Sequence, residues 1–200
     1  MSLAERVRVH EERLLSDHWY VLKAARFDWR RRDGRWQTST REVYDRGNGA
    51  AILLYDLQRR SVVLTRQFRY PAFVNGHDDL MVEVPAGVLD DADPEACIRA
   101  EAELEAGIRV RAPRKVFEAF MSPGAVTERL HFFVAEVDAR DRIGEGGGLH
   151  DEGEDIEVFD CPFDEALAMV ERGEIVDAKT ILLLQWAALH LFGHGGGDRA

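Results

Sequence analysis

The sequence predicts an α/β fold that carries an antiparallel β unit near its N-terminus. One observation is a strand, a glycine turn and a helix in succession over Glu83–Ile108 (EVPAGVLDDADPEACIRAEAELEAGI). Another is a pair of runs rich in aromatic and β-branched residues, Trp19–Trp29 and Trp36–Tyr44, with the hairpin signal Asp33-Gly34 between them. Such a β unit has a small core of its own and is expected to pack on something else.

The remaining elements alternate between strand and helix patterns. We predict a frayed segment over 1–12, a β unit within 1–45, a main domain over 46–193 and a disordered tail over 194–200. Within the main domain, strands are expected over 50–55, 62–68, 115–120, 130–137 and 155–159, helices over 164–172 and 178–192, a loop over 70–79 and a mobile glycine-rich loop over 144–153.

The helix of the Glu83–Ile108 segment has clear start and stop signals. Asp93 precedes a proline, as an N-cap residue often does, and Gly107 is a plausible C-cap. Glu101 and Glu105 are four residues apart, so their carboxylates lie one turn apart on the same face. Two apolar arcs are expected to flank these carboxylates: Cys97, Ala100, Leu104 and Ile108, and Ile98 with Ala102.

Two interpretations of the paired carboxylates stay open at this point. They can face solvent on an ordinary surface helix. Alternatively, they can hold a hard divalent cation with a turn carbonyl, because Mg²⁺ and Mn²⁺ prefer oxygen ligands. Like charges within a burying face are costly without a cation, and this cost gives the second interpretation the same weight as the first.

Charge, cysteine spacing and the lengths of apolar runs argue against nucleic-acid-binding, cysteine-metal and membrane proteins. A net charge of −11 argues against nucleic acid as a partner. The two cysteines, Cys97 and Cys161, lack metal-ligand spacing and are expected to be buried thiols. The N-terminal segment has no apolar signal core, and the longest apolar run, Ile181–Phe192, is too short to span a bilayer. These features predict a cytoplasmic protein with no membrane partner.

The Glu83–Ile108 segment resembles the Nudix box, the glycine–helix signature of Nudix hydrolases. Blocks such as LLSDHWYVL, REVYDRGNGA, MSPGAVTE and LHFFVAE are similar to the GDP-mannose pyrophosphatase branch, which lies next to the ADP-ribose pyrophosphatases. The resemblance runs from about Leu14 to Leu191. It implies a Nudix-type α/β/α sandwich with a mixed sheet and an N-terminal antiparallel β appendage.

The resemblance also implies a homodimer and a set of site residues. In that branch the N-terminal unit reaches across a twofold axis into the partner's substrate site. The implied metal ligands for Mg²⁺, with Mn²⁺ as an alternative, are Ala86, Glu101, Glu105 and Glu154, and the three glutamates among them are the implied catalytic residues. Glu154 is the loop base or a further metal ligand, with Glu152 as the alternative. The implied substrate-binding residues are Trp19, Arg41, Glu42, Arg69, Ala86, Gly87, Val88, Glu128 and Lys179.

The implied reaction is hydrolysis of the diphosphate bond of a nucleoside diphosphate sugar, with GDP-mannose favoured and ADP-ribose second. Three positions depart from the family pattern, because Asp93, Ala100 and Leu104 stand where glutamate, arginine and glutamate are usual. The departures at Ala100 and Leu104 support an alternative, a catalytically weakened or inactive nucleotide-sugar binder on the same fold. A structural α/β domain without a ligand is a third, less favoured interpretation.

Overall fold

The computed structural model describes residues 2–149, 151 and 153–193. The chain divides into two compact units, one comprising the residues up to Asn48 with Phe120–Arg129, the other comprising Gly49–Ala119 and the chain from Leu130 onwards. The domain boundary placed between residues 45 and 46 stays a prediction. The tail over 194–200 lies outside the described residues.

The first unit is built on a three-stranded antiparallel sheet. Its strands are β1 (Val7–Asp17), β2 (Val21–Arg30) and β3 (Trp36–Asp45), in that spatial order. The β2–β3 register runs without a break from Val21 opposite Asp45 to Arg30 opposite Trp36, as the predicted hairpin requires. The expectation of a frayed segment over 1–12 is wrong, because β1 begins at Val7 and pairs with β2 from there. Charged residues did not prevent this, since the side chains of an edge strand can remain in water.

The second unit contains a mixed sheet. Its strands are β4 (Gly49–Asp56), β5 (Ser61–Gln67), β6 (Met81–Glu83), β7 (Ala86–Val88), β8 (Arg114–Phe120), β9 (Arg129–Glu136) and β10 (Glu157–Pro162). The spatial order is β10-β5-β4-β9-β8, while β6 pairs with β5 and β7 pairs with β4. Strands β4 and β9 run parallel, whereas β4–β5 and β5–β10 are antiparallel.

Helices cover both faces of this sheet. The covering helices are α2 (Pro94–Ala106), α3 (Phe163–Glu171) and α4 (Ala178–His190), and a further short helix, α1, spans Tyr70–Val74. Alternate residues of β4, including Ile52, pack with Ile98 and Ala102 of α2 in one core. Tyr55, on the opposite face by strand alternation, lies edge-on to Phe192 just after α4. The α/β/α sandwich with a mixed sheet is therefore confirmed, and α1 replaces the first half of the loop predicted over 70–79.

Helix α2 begins and ends as its capping residues predict, and it buries the predicted arc of Ile98 and Ala102. The Asp93 side chain accepts hydrogen bonds from Glu95 N and Ala96 N, and Gly107 ends the helix at a φ of 65°. The buried residues are Cys97, Ile98, Ala102, Glu105 and Ala106. The other predicted arc is wrong at Ala100, which is exposed, although Cys97 and Ile108 of the same arc are buried. The true core stripe passes through Glu105, which is the feature that organises the site.

None of the described helices combines the length and the apolar character that a membrane-spanning helix requires. Both cysteines are buried free thiols, as expected. Burial, with the nearby charges of Glu101 and Asp90, raises the pKa of the Cys97 thiol to about 11. Burial and Glu165 also raise the pKa of Cys161. Such thiols are poor nucleophiles at neutral pH.

Candidate active site

The centre of the candidate site is the contact between the end of α2 and the turn that enters β7. Glu105 is only 3% exposed, although it carries a carboxyl group. Its Oε2 atom accepts a hydrogen bond of 3.1 Å from the backbone N–H of Ala86. Ala86 is held in place because β7 pairs with the fully buried strand β4, with Ala86 opposite Ala51. The turn and the helix carboxylate are therefore in direct contact, while the role of the Ala86 carbonyl as a metal ligand stays a prediction.

Glu101 reaches the same turn from one helical turn earlier. A Cβ atom added at Gly87 would lie 2.1 Å from Glu101 Oε1, so glycine is needed for the carboxylate to lie against the backbone. Glu101 is partly buried, and Glu105 is buried, so the two side chains are not on a solvated face. The interpretation of Glu101 and Glu105 as an ordinary surface pair is thus not the one that the structure favours.

The electrostatic environment of Glu105 favours a bound cation next to its carboxylate. Burial raises the pKa of the Glu105 carboxyl to about 8; the Ala86 N–H opposes this shift, and the negative charge of Glu101 adds to it. A buried carboxylate beside a second carboxylate is costly unless positive charge is supplied. Two carboxylates that converge on a turn form a donor set of the type that hard divalent cations prefer. Within the described ranges, however, no group of three or more His, Cys, Asp or Glu residues has metal-binding geometry.

Glu154 is held by the glycine-rich segment. Its Oε2 atom accepts a hydrogen bond of 2.8 Å from Leu149 N. A Cβ added at Gly148 would lie 2.4 Å from the same oxygen. Its assignment as loop base or metal ligand stays a prediction. Glu152, the alternative to Glu154, lies outside the described residues.

The segment before Glu154 does not form a free loop. Gly147 N donates to Glu105 O over 3.0 Å, and Gly148 N donates to Leu104 O over 3.2 Å. Ile143 N donates to Gly107 O over 2.8 Å. These bonds satisfy backbone carbonyls at the C-terminal end of α2, which would otherwise lack partners. The expected mobile loop is therefore, over residues 143–148, a backbone clamp on the helix that carries Glu101 and Glu105.

Two predicted cations, Arg69 and Lys179, meet at a third residue that the sequence analysis did not select. Glu83 is 3% exposed. Its Oε2 atom lies 2.9 Å from Arg69 Nε, and its Oε1 atom lies 2.5 Å from Lys179 Nζ. Burial alone would lower the pKa of Lys179, but Glu83 and Asp177 hold it above its usual value. The available signal was an acidic residue within the apolar run MVEV, which is unusual in a buried strand.

The rest of the predicted set divides between the two units. In the second unit, Val88 O accepts a hydrogen bond from Cys97 Sγ over 3.4 Å, which ties β7 to the start of α2. In the first unit, Trp19 is 82% exposed and lies edge-on to Tyr20.

Two of the other predicted residues of the first unit, Arg41 and Glu128, have polar partners. Arg41 and Glu42 are exposed on β3, and Arg41 Nη1 donates to Thr40 O. Glu128 lies 3.4 Å from Arg46 Nε, and its side chain is only 13% exposed. The substrate roles of these residues stay predictions.

A mixed sheet between helices, with two helix carboxylates against a glycine turn, defines a candidate for metal-assisted chemistry on an anionic substrate. Arg69 lies close enough that its charge opposes the rise in the Glu105 pKa. Comparisons with known proteins agree with this class. Residues 6–44 match the model of the GDP-mannose pyrophosphatase NudK N-terminal domain, and residues 45–184 match that of the NUDIX domain. The chain therefore belongs to the Nudix family, which generally uses divalent metal ions.

Curated relatives match over most of their length. The chain is 52% identical over 184 residues to a GDP-mannose pyrophosphatase of Pectobacterium atrosepticum, covering 92% of this chain and 94% of that protein. It is 52% identical over 180 residues to one of Cronobacter sakazakii, covering 90% and 93%. It is 47% identical over 195 residues to one of Klebsiella pneumoniae, covering 97% and 98%. The predicted family and branch, and the prediction of a hydrolase, are confirmed.

Proposed function

We propose that this chain hydrolyses the diphosphate bond of a nucleoside diphosphate sugar, with GDP-mannose as the preferred substrate. The products are a nucleoside monophosphate and a sugar phosphate. The observation that carries this proposal is the buried Glu105 carboxylate, which accepts a hydrogen bond from Ala86 N, together with Glu101 one helical turn away, which lies against Gly87. The names of the relatives support GDP-mannose over other nucleotide sugars.

In the second unit, acidic residues are assigned to the metal ion and a basic residue to the diphosphate. Glu101, Glu105 and the Ala86 carbonyl would hold Mg²⁺, or Mn²⁺ in its place. When bound, the divalent cation supplies positive charge for the diphosphate and makes water more acidic. Arg69 binds phosphoryl oxygens, because a guanidinium offers several N–H donors in one plane. The net charge of −11 makes these local cations necessary for an anionic substrate.

Proton transfer is assigned to Glu154. It lies at the end of a glycine-rich segment, and such a segment can bring a base to the substrate after binding. In the structure its carboxylate is held by Leu149 N, so this assignment requires the side chain to move. Glu128 and Lys179 complete the proposed substrate contacts.

The first unit is proposed to complete the site of a second subunit. Trp19, Arg41 and Glu42 would contact the partner's substrate in a twofold homodimer. Trp19 is the best placed for this because it is a large, exposed aromatic side chain. A cytoplasmic location goes with a nucleotide-sugar substrate and stays a prediction.

Turnover over a panel of nucleotide sugars with Mg²⁺ tests the proposal. GDP-mannose should be hydrolysed fastest, with ADP-ribose as the main competitor in the panel. Glu101→Gln should lower kcat by at least about a hundredfold, since it removes a carboxylate that holds the cation. Glu103→Gln is the matched control, because Glu103 is exposed on the same helix and pairs with Arg109.

The alternative, a non-catalytic binder, is supported by Ala100 and Leu104, where the family pattern has a cation and a carboxylate. Calorimetry with GDP-mannose separates the two functions. A binder would take up the sugar nucleotide equally well with and without Mg²⁺ and would never consume it. An enzyme would need the cation and would convert the ligand during the titration. Unchanged turnover in Glu105→Gln would refute the assigned site.

A further inference from the structure

Glu83 joins two cations that the proposed mechanism treats separately. It is the last residue of β6 and is buried, with 3% of its surface exposed. Each carboxylate oxygen has one cationic partner, Arg69 Nε for Oε2 and Lys179 Nζ for Oε1. Two charge-assisted hydrogen bonds at a buried carboxylate fix its orientation and that of both partners.

The Lys179 side of this cluster is anchored to the start of α4. Lys179 Nζ also lies 3.0 Å from Asp177 Oδ1. Asp177 is the N-cap of α4, and its Oδ2 atom accepts hydrogen bonds from Thr180 N and Thr180 Oγ1. Thr180 Oγ1 in turn accepts a hydrogen bond of 2.9 Å from Val84 N, the residue after Glu83. The bonds therefore close a ring through β6 and α4, so Glu83 has little freedom to move.

The Arg69 side is built differently. Glu83 contacts the guanidinium through Nε, the nitrogen nearest the backbone. A guanidinium is planar, so a bond at Nε fixes the plane while its terminal nitrogens can donate elsewhere. The Arg69 side chain is 41% exposed, whereas that of Glu83 is 5% exposed. The buried Glu83 carboxylate thus holds the inner part of the Arg69 side chain, while the outer part of the guanidinium faces solvent. Only Val84 and Pro85 separate Glu83 from the Ala86 turn.

We propose that Glu83 is a positioning residue that aims the Arg69 guanidinium at the diphosphate of the substrate. The inference rests on the proposed function, because it assigns Arg69 to that diphosphate. A stabilising role alone explains the arrangement less well, since burying an ion pair costs solvation that its attraction often fails to return. An ordinary solvated ion pair is found nearby in the chain, where Arg66 of β5 lies 3.5 Å from the exposed Glu157. Glu83 differs from Glu157 because it is buried.

A double-mutant cycle on GDP binding tests the inference. GDP affinity is measured by calorimetry with Mg²⁺ for the intact chain, Glu83→Gln, Arg69→Gln and the double variant, together with kcat and KM for GDP-mannose. Each single variant should weaken GDP binding and raise KM about tenfold, a factor that corresponds to one charge-assisted hydrogen bond. In the Arg69→Gln background, Glu83→Gln should change GDP affinity by less than about twofold, since Asp177 still holds Lys179 and the effect of Glu83 acts through the arginine. Glu157→Gln should leave both measurements unchanged.

The outcomes are distinct. Equal losses from Glu83→Gln in both backgrounds, or no loss in the intact background, would overturn the inference while the hydrolase stands. An intact chain that neither binds GDP nor hydrolyses GDP-mannose would overturn the proposed function and this inference with it. If thermal melting shows that Glu83→Gln does not fold, the cycle is repeated in a Lys179→Met background, where the second buried charge is also removed. The same non-additivity is expected there, and additivity there would refute the inference.

Discussion

Glu101 Oε1 lies 2.1 Å from the position that a Cβ atom would take at Gly87. Position 87 therefore requires glycine because of the space that Glu101 occupies, and not because of its backbone conformation. Its other neighbours in that direction are also atoms of the Glu101 side chain, at 2.3 Å and 2.5 Å. The missing side chain of Gly87 leaves the space that the Glu101 side chain occupies. A side chain added at position 87 should therefore displace Glu101 without removing its charge.

Gly87→Ala is expected to weaken Mn²⁺ binding about tenfold or more while the chain stays folded. The three atoms nearest to the added methyl group all belong to the flexible Glu101 side chain, so Glu101 can rotate away at small cost to stability. The displaced carboxylate would no longer share the turn with Glu105. Calorimetric titration with Mn²⁺ and a thermal melt check the two halves of this expectation.

Gly124→Ala is the control for that substitution. A Cβ at Gly124 would meet no atom within 4 Å, so the same chemical change occurs without displacing a carboxylate. Its Mn²⁺ affinity should equal that of the unaltered chain. If Gly87→Ala also left Mn²⁺ affinity unchanged, Glu101 would not be a ligand.

Glu105→Gln should stabilise the metal-free protein at alkaline pH. The folded-state pKa of Glu105 is about 8, above its usual value of 4.5. The folded state therefore holds its proton more tightly than the unfolded state, and the stability associated with Glu105 is lost as pH rises from about 4.5 to about 8. Glutamine cannot ionise and removes this loss. We expect a gain of about 1 kcal/mol or more at pH 9, or about 2–4 °C in Tm.

The gain should vanish at pH 4.5 and in saturating Mg²⁺, because the cation stabilises ionised Glu105 in the unaltered chain but not the amide. Melting curves with chelator and with Mg²⁺ at both pH values test this pattern. Glu103→Gln, an exposed change on the same helix, should show no pH-dependent gain of this kind. A Glu105→Gln variant less stable than the parent at pH 9 without metal would contradict the assigned pKa.

Local signals were sufficient for much of the fold. Asp93, the following proline and Gly107 define the ends of α2 because caps act within a few residues of the chain. The Asp33-Gly34 signal gave the β2–β3 hairpin for the same reason. The strand β1 was missed, because its charged residues resemble a solvated segment until a partner strand is known. Helix periodicity alone also could not decide between two neighbouring arcs, and Ala100 was placed on the wrong side.

The site was predictable where the family pattern is local, as at Glu101 and Glu105. Glu83 was not selected because its importance depends on Arg69 and on Lys179, which are 14 and 96 residues away in the chain. The segment over 143–148 has the composition of a flexible loop, yet its glycines allow close approach to the backbone of α2. Composition cannot distinguish a glycine that confers freedom from one that permits contact.

Leu104→Glu should raise Mn²⁺ affinity or turnover severalfold. Leu104 stands where the family pattern has a second carboxylate, and it is only partly buried, so a charged end can reach water or a cation. A third carboxylate near Glu101 and Glu105 would add an oxygen ligand. Mn²⁺ titration and kinetics with GDP-mannose check this. Ala100→Glu, which adds the same charge at an exposed position of α2, should have little effect, and equal values in Leu104→Glu and the parent would mean that Leu104 serves packing alone.

Gly146→Ala should destabilise the chain by about 3 kcal/mol, against about 1 kcal/mol for Gly153→Ala. Both glycines have a positive φ, 73° and 79°, so an alanine meets similar backbone strain at either position. Only at Gly146 would the Cβ collide with backbone, 2.2 Å from Glu105 O, whereas no atom lies within 4 Å of it at Gly153. Urea denaturation of the two variants therefore isolates the contact between the glycine-rich segment and α2.

Because relief of the collision must move the Glu105 backbone or the segment that leads to Glu154, Gly146→Ala should also weaken Mn²⁺ binding, while Gly153→Ala should not. Equal losses in the two variants would mean that residues 143–148 do not clamp the helix in solution.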